Sequence, residues 1–218
     1  MIDLHTHTIF SDGSLLPSEL VRRASVCGYE VIALTDHVDS SNIDFVLPRL
    51  IKVSKDLNRF WGKKIKVIPG VEITHAPLEL IPRLIKYARR KGKVLVVVHG
   101  ESPVEPVIEG TNKVAVEAGA DILAHPGKIT DEVALMASKT GVCLELTARS
   151  GHLEGNRHVY GVAKRNGARL VFNSDAHDMD DLLNDIQIKT ILEESLDLTI
   201  QEIEQILQNS CQLVKKFI

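Results

Sequence analysis

The sequence predicts an α/β protein whose parallel strands form a closed or nearly closed barrel. Three observations favour this class: seven short apolar runs rich in β-formers, a helical pattern after each run, and no shift in composition that would divide the 218 residues. Strands that alternate with helices along a chain are typical of parallel sheets. An open, doubly wound sheet is the alternative. We expect residues 1–218 to form a single domain.

The seven apolar runs have the length and composition of buried strands. Most of them are continuous rather than alternating, which indicates strands that are covered on both faces, as in a parallel sheet with helices around it. The runs are MIDL at 1–4, VIAL at 31–34, IKVIPGV at 65–71, VLVVV at 94–98, DILA at 121–124, VCLEL at 142–146 and ARLVF at 168–172.

The segments between the runs carry helical spacing and helix-ending residues. Pro17 can occupy the first turn of the first helix, and Gly28 follows its last turn. Gly92, Gly119 and Gly141 each stand between a helical segment and the next apolar run, which is where helices end. The further helices are predicted at 43–60, 77–91, 103–119, 130–140, 156–166 and 179–194, with a last one at 199–217 packed on the outside.

Composition and charge are those of an ordinary globular chain. The apolar runs are too short to span a membrane and no basic segment precedes one at the start, so we expect a cytoplasmic protein that does not enter a membrane. A net charge of −3 gives no reason to expect nucleic acid as a partner. The cysteines are scattered, so we expect no disulfide, and Cys27 and Cys143 are expected to be buried. The oligomeric state is not predicted.

Histidines and carboxylates concentrate at the carboxyl ends of the predicted strands. Six of the nine histidines stand there, together with Glu72 and Asp175. In a parallel barrel these strand ends meet at one mouth, where active sites lie. Imidazole nitrogens and carboxylate oxygens are ligands for Zn, Mn and Fe, and a cluster of this size suits two or three ions. The six histidines are His5, His7, His37, His99, His125 and His177.

Six short motifs resemble, in this order, those of the PHP (polymerase and histidinol phosphatase) superfamily of metal-dependent phosphoesterases. They are HTHT-x-x-SDG, LTDH, PGVE, VHG, AHPG and NSDAH, and the resemblance extends from residue 3 to about residue 178. It implies a distorted (β/α)7 TIM-like barrel, in agreement with the seven predicted strands. It also implies a trinuclear site at the carboxyl ends of the strands, with two to three divalent ions of Zn, Mn or Fe.

The resemblance assigns three sets of metal ligands, and every position of the pattern holds a suitable residue. The first set is His5, His7, Glu72 and Asp175; the second is Glu72, His99 and His125, with Glu72 bridging; the third is Asp12, His37 and His177. Asp36 precedes one of these histidines and is expected to orient a neighbour rather than to bind an ion.

Further residues are expected to act on the substrate. Arg149 resembles a phosphate-contacting arginine of the histidinol-phosphatase-like branch, and its guanidinium fork suits a phosphate dianion. Asp12 or His177 is the expected donor of the proton to the leaving oxygen. His75 and His152 are expected to line the substrate pocket, because each follows a strand-end motif closely.

The resemblance implies hydrolysis of a phosphate ester by a metal-activated hydroxide, and we expect a small phosphate monoester, with histidinol phosphate as one candidate. A nucleotide or oligonucleotide phosphoesterase and a non-catalytic, metal-stabilised domain are the alternatives. Nucleic acid is disfavoured because aromatic residues make up only 4% of the chain and the sequence shows no basic groove. A hydrolase of C–N bonds also uses His-x-His on its first strand, but Asp12 and Glu72 fit the phosphoesterase pattern better.

Overall fold

Parallel strands form the centre of the molecule, and the computed structural model describes all 218 residues. The strands are β1 (Ile2–Asp3), β2 (Val31–Leu34), β3 (His37–Val38), β4 (Lys66–Ile73), β5 (Leu95–His99), β6 (Ile122–Ala124), β7 (Cys143–Thr147) and β8 (Leu170–Asn173). Neighbours pair in the order β1-β2-β4-β5-β6-β7-β8, with β3 beside β4. Because strand order follows chain order, the predicted TIM-like barrel is confirmed and the doubly wound sheet is not.

The seam at which β1 meets β8 contains less strand pairing than the contacts between the other neighbouring strands. A single parallel bridge joins Thr6 and Ala176, and the amide of His7 donates to the carbonyl of Ala176 at 2.8 Å. One side chain extends the seam, because the amide of Leu4 donates to Oδ1 of Asn173 at 2.8 Å. The barrel is therefore closed partly by backbone and partly by polar side chains.

The second predicted strand is interrupted, so eight short strands fill seven positions. β2 pairs with the first half of β4, and β3 pairs with its end. Between them, Oγ1 of Thr35 accepts from the amide of Thr6 at 3.0 Å, and the carbonyl of Asp36 accepts from the amide of Glu72 at 3.0 Å. The hydroxyl of Thr35 thus fills the break, and backbone pairing resumes at Asp36, which the apolar pattern could not reveal.

Successive strand residues point into two separate apolar cores. On β5, Val97 belongs to the smaller core, whereas Val96 and Val98 belong to the larger one. The smaller core fills the barrel, and the larger one, of 49 buried residues, lies between the strands and the helices. The smaller core consists of Leu4, Val31, Ala33, Ile68, Leu95, Val97, Ile122, Ala124, Cys143, Val171, Leu213 and Val214.

Eight helices surround the strands. They are α1 (Pro17–Val26), α2 (Ile43–Trp61), α3 (Ile81–Arg89), α4 (Thr111–Glu117), α5 (Asp131–Thr140), α6 (Asn156–Asn166), α7 (Asp185–Leu196) and α8 (Ile200–Val214). None of them combines the length and hydropathy that a membrane crossing needs.

Three predicted helices are shorter than expected. The helix predicted at 103–119 begins only at Thr111, since Pro106 lacks an amide hydrogen and disfavours the helical conformation of the residue before it. The segment 179–194 starts with a single 3-10 turn, and α7 begins after Asn184, whose side chain accepts from the amide of Gln187. The helix predicted at 77–91 spans only α3, with a proline in its first turn.

The cysteines form no disulfide, as predicted. Cys143 is buried as expected, but Cys27 is exposed, so the prediction for Cys27 was wrong. Cys27 follows the last turn of α1, beyond the buried stripe that ends at Ala24.

The last helix closes the amino end of the barrel. Leu213 and Val214 of α8 belong to the core inside the barrel. Asn209 donates to the carbonyl of Leu170 at 2.8 Å, which ties α8 to β8. Ile203 and Ile206, earlier on the same helix, pack in the larger core outside the barrel. The prediction that this helix packs on the outside is therefore confirmed for its first turns and wrong for its end.

We expect Leu213→Ala to lower the free energy of unfolding by about 2–5 kcal/mol, because it leaves a cavity inside the barrel. Urea unfolding followed by circular dichroism measures this change. The exposed neighbour provides the control, since Lys215→Ala should change stability by less than about 0.5 kcal/mol. Equal stability of the two variants would mean that α8 does not fill the barrel.

Candidate metal centre

Polar side chains continue the inward-facing rows of the strands at the carboxyl end of the barrel, here called the mouth. On β4 the inward row runs from Ile68 to Glu72, and on β5 it runs from Val97 to His99. Alternation in a strand gives every second residue the same direction. The apolar filling of the barrel is therefore capped by a layer of imidazoles and carboxylates.

His5, His7 and Asp175 form the first group of potential ligands. Their ligand atoms lie within 4.8 Å of one another, and all three side chains are buried. Nε2 of His7 lies 3.1 Å from Oδ1 of Asp175, and Nε2 of His5 lies 3.3 Å from Oε2 of Glu72. The group joins residues from both sides of the barrel seam.

Glu72, His99 and His125 form the second group, again with ligand atoms within 4.8 Å and full burial. Oε1 of Glu72 lies 3.8 Å from Nε2 of His125, while its other oxygen faces the first group. Nδ1 of His99 donates to the carbonyl of Gly100 at 3.0 Å, so Nε2, which lies 3.2 Å from Oε2 of Glu105, is the ring atom that could bind an ion. Glu72 is thus placed between two groups.

The third group lies nearest to solvent and consists of His7, Asp12, His37 and His177. Oδ2 of Asp12 lies 3.2 Å from Nε2 of His177, and Oδ1 lies 3.5 Å from Nε2 of His37. The side chain of Asp12 is 56% exposed, so this group forms the rim of the mouth. The structure brings all nine predicted ligands together and adds His7 to this group.

Unpaired polar atoms are concentrated at these groups. Ten buried side-chain nitrogen and oxygen atoms have no hydrogen-bond partner, and seven of them belong to five of these residues. A buried polar atom without a partner is costly. Nitrogen and oxygen lone pairs that face one another suit divalent cations, so the residues present fit the metals that the sequence predicts. The five residues are His5, His7, Glu72, His125 and Asp175.

The electrostatics of the cluster point the same way. Burial raises the pKa of Asp175 to about 7. Burial and neighbouring imidazoles hold the pKa of His125 well below its ordinary value, and burial does the same for His7, helped by His37. Against the effect of burial, Glu145 and Glu72 raise the pKa of His5, and Glu72 and Asp12 raise that of His37 to about 10, so neighbouring imidazoles compete for the protons that would balance the carboxylates. Divalent ions remove this conflict, because they bind the neutral form of an imidazole.

Glu145 supports the centre and is a residue that sequence reasoning missed. Oε1 of Glu145 accepts from Nδ1 of His5 at 2.9 Å and from Nδ2 of Asn173 at 2.7 Å, and Oε2 accepts from the amide of His125 at 3.2 Å. A carboxylate on Nδ1 fixes the tautomer that leaves Nε2 as the ligand. The available signal was a single charged residue within the buried run VCLEL.

Asp36 is buried and fixes the first loop rather than an imidazole. Its carboxylate accepts from the amide of Thr8 at 2.8 Å and from the hydroxyl of Ser11 at 2.8 Å. The loop so held carries Asp12 to the rim. Asp36 therefore acts on a potential ligand through the backbone, and it is not itself part of a ligand group.

A second missed carboxylate, Glu105, faces three imidazoles at the mouth. Oε2 lies 3.0 Å from Nε2 of His75 and 3.2 Å from Nε2 of His99, and Oε1 lies 3.4 Å from Nε2 of His152. The hydrogen bond from His99 lowers the pKa of Glu105 to about 2. His152 is buried and stacks on His125, whereas His75 is exposed at the rim. Both predicted pocket histidines thus border the centre.

Arg149 lies beside the third group. Its guanidinium donates to Oδ2 of Asp181 at 3.2 Å, and the same oxygen accepts from the amide of His177 at 2.8 Å. The arginine side chain is about one-third exposed. Asp181, which the sequence did not single out, links the arginine to the ligand group.

Backbone strain also marks the mouth. Four non-glycine residues have positive φ angles, and three of them are His75 (49°), His125 (25°) and Asp175 (56°). The fourth, Asp197, ends α7. Left-handed conformations cost side chains about 1–3 kcal/mol and persist where the surroundings enforce them, commonly at functional sites.

Comparison with known proteins agrees with this geometry. The family model of the PHP domain matches residues 3–189. An uncharacterized protein of Methanocaldococcus jannaschii is 44% identical over 184 residues, which is 84% of each chain. The DNA polymerase/3'-5' exonuclease PolX of Bacillus subtilis is 24% identical over 202 residues, covering 85% of this chain but 35% of its own length.

Two solved structures share the fold at low sequence identity. A chain of archaeal ribonuclease P with mature tRNA has a TM-score of 0.75 and 18% identity, covering 99% of this chain and 90% of that one. Histidinol phosphate phosphatase of Lactococcus lactis, solved with zinc, L-histidinol and phosphate, has a TM-score of 0.63 and 16% identity, covering 89% and 93%.

We expect Zn²⁺ or Mn²⁺ to raise the melting temperature of chelator-treated protein, because a ligand at 100 times its Kd stabilises the native state by about 2.7 kcal/mol. The shift should shrink as the pH falls from about 7 to 5, since imidazoles must lose their protons to bind. Scanning fluorimetry of Asp175→Ala should show a smaller shift, and Lys139→Ala should match the original protein. No shift, together with less than one bound ion per chain, would contradict a metal centre.

Glu145→Gln should lower metal affinity about 10–100-fold, because His5 loses the carboxylate that orients it. Competition with a chromophoric chelator measures the affinity. Glu132→Gln is the matched control, since Glu132 is exposed and pairs only with Lys113. Equal affinities of the two variants would show that Glu145 does not support the ligands.

Proposed function

The chain belongs to the PHP domain family, and we propose that it is a metal-dependent phosphoesterase that hydrolyses a phosphate monoester at the mouth of the barrel. The observation that carries this proposal is the concentration of unpaired, buried ligand atoms in three adjoining groups. A complete set of ligands also argues against a domain in which metals serve stability alone.

The proposed reaction needs several roles from this chain's own residues. Ions bound in the three groups would supply positive charge to the phosphoryl oxygens and a water of lowered pKa. Glu72 fixes the spacing of two groups, because one oxygen faces His5 and the other faces His125. Arg149 offers a planar guanidinium to the phosphate, held in place by Asp181.

The leaving oxygen requires a proton, and the third group is placed to provide it. Asp12 and His177 stand at the solvent side of the mouth, 3.2 Å apart. A phosphate that contacts the buried groups would direct its ester oxygen towards this rim. We therefore propose that this pair passes the proton while it holds one between its two side chains, as the sequence suggests, because neither Asp12 nor His177 can donate through an atom that binds an ion.

Histidinol phosphate is the first candidate among small substrates. The histidinol phosphatase that shares this fold was solved with L-histidinol and phosphate. In this chain, the carboxylate of Glu105 and the imidazoles of His75 and His152 border the mouth. An ammonium group attached to the phosphate ester would find a counter-charge there.

A nucleotide or an oligonucleotide end is the second candidate. Two matches favour it: a polymerase and 3'-5' exonuclease whose likeness covers 85% of this chain, and a chain of a ribonuclease P particle with a TM-score of 0.75. The chemistry at the metal centre would be the same. The two candidates differ in what surrounds the phosphate.

We expect His99→Ala and Asp175→Ala to reduce turnover about 100-fold or more, because each removes a ligand of a different group. The substrates for the assay are p-nitrophenyl phosphate, histidinol phosphate and a 5'- or 3'-phosphorylated oligonucleotide, with metal-loaded protein. His158→Gln is the control, since that imidazole bonds to the carbonyl of Ile129, outside the centre. Full activity of His99→Ala would contradict the assignment of the site. Inactivity of the fully metallated protein on every phosphoester would contradict the proposed function.

A further inference from the structure

Positive charge is segregated in this molecule. Residues 49–93, which run from the middle of α2 past the end of α3, contain thirteen of the 26 Lys and Arg residues but only three of the 29 Asp and Glu residues. This segment carries a charge of +10, while the net charge of the chain is −3. The average charge, which gave no reason to expect a polyanionic partner, conceals a strongly basic face.

Most cations of this segment lack a carboxylate partner within the protein. Of the thirteen, only Arg89 forms an ion pair, at 2.6 Å from Asp121. Of the thirteen Lys and Arg residues elsewhere, eight form ion pairs with a carboxylate. Cations without a carboxylate partner attract polyanions, and those that lie near one another repel each other in the absence of a polyanion.

Some of these cations line a groove between α2 and α3. Arg83, Lys86 and Arg90 of the α3 region line it, together with Tyr87 and with Asp44 of α2. The three cations are exposed and stand at helical spacing, so they share one face. α3 has nine residues, so its face is about 14 Å long and offers room for several phosphates in a row.

The groove leads to the metal centre. Its lining begins at Ser40, and the neighbouring residues Asp39 and Ser41 line the mouth together with Asp12 and His37. A chain that lies in the groove would therefore reach the third ligand group at one end.

We propose that the α2–α3 groove binds the phosphate backbone of single-stranded nucleic acid and delivers its terminal phosphoester to the metal centre. This inference rests on the proposed function and names the class of substrate. Cations in a line contact successive phosphates, and an aromatic ring among them can stack on a base. The recessed ligand groups admit the end of a single strand more readily than a duplex.

The packing of α3 favours nucleic acid over a membrane surface. A helix that binds lipid needs an apolar face beside its cations. The apolar residues of α3, which are Ile81, Leu84, Ile85 and Ala88, are all buried against the protein. The helix thus presents cations and one half-buried tyrosine, whose ring centre lies 4.8 Å from Nζ of Lys91, and its own apolar residues are not available to insert into lipid.

The binding test uses the full chain and a fluorescein-labelled single strand of about twelve nucleotides, as RNA and as DNA, with and without EDTA. We expect affinity to fall with salt, and the variant Arg83→Ala/Lys86→Ala/Arg90→Ala to bind at least about 10-fold more weakly. Its slope of log affinity against log salt should be smaller by about 2, because three phosphate contacts are lost. If the triple variant folds poorly, the single variant Lys86→Glu provides the test, and we expect it to weaken binding as well.

The matched control removes the same charge elsewhere. Lys139→Ala/Lys189→Ala/Lys215→Ala lies on α5, α7 and the end of α8 and should bind as the original chain does. Equal binding of the oligonucleotide by both triple variants would contradict the proposed role of the groove. Binding to phosphatidylserine vesicles without binding to the oligonucleotide would contradict it as well. Turnover of small phosphoesters without oligonucleotide binding contradicts this inference alone, whereas oligonucleotide binding without any phosphoester turnover contradicts the proposed function alone.

Discussion

The organisation of this molecule depends on the compensation of buried charge at one end of a barrel. Carboxylates and imidazoles replace apolar side chains in the uppermost layer of the filling, where little water reaches them. Such a layer is tolerable only if cations or protons balance it and neighbouring groups hold it in place. The partners of His5, the loop held by Asp36 and the left-handed backbone at His125 all serve this purpose.

The strand ends were predictable from the sequence, because short apolar runs end in histidine or carboxylate again and again. Glu145 was missed because one acidic residue inside an apolar run gives no hint of which face it occupies. Glu105 was missed because its loop was predicted as a helix, and the prolines that prevent this helix were given too little weight. The break before His37 depends on bonds to Thr6, about thirty residues earlier in the chain, and local patterns cannot show it.

The metal centre and the basic face have opposite requirements. Ligand groups need carboxylates, so a cation close to them would compete with the ions. A phosphate chain needs cations, so its attachment is best placed beside the mouth rather than inside it. Arg83 and Lys86 of the groove lie on α3, apart from the ligand groups, and a charge summed over all residues averages this division away.

The seam between β1 and β8 has a consequence for how the protein is made. Leu4 and Asn173, which bond across it, are 169 residues apart in sequence, and the first ligand group spans the same seam. Contacts of such sequence separation form late, after the intervening chain has been ordered. A partly synthesised or partly folded chain therefore lacks this ligand group. The first group is thus complete only when β1 and β8 have met and the whole ring has been assembled.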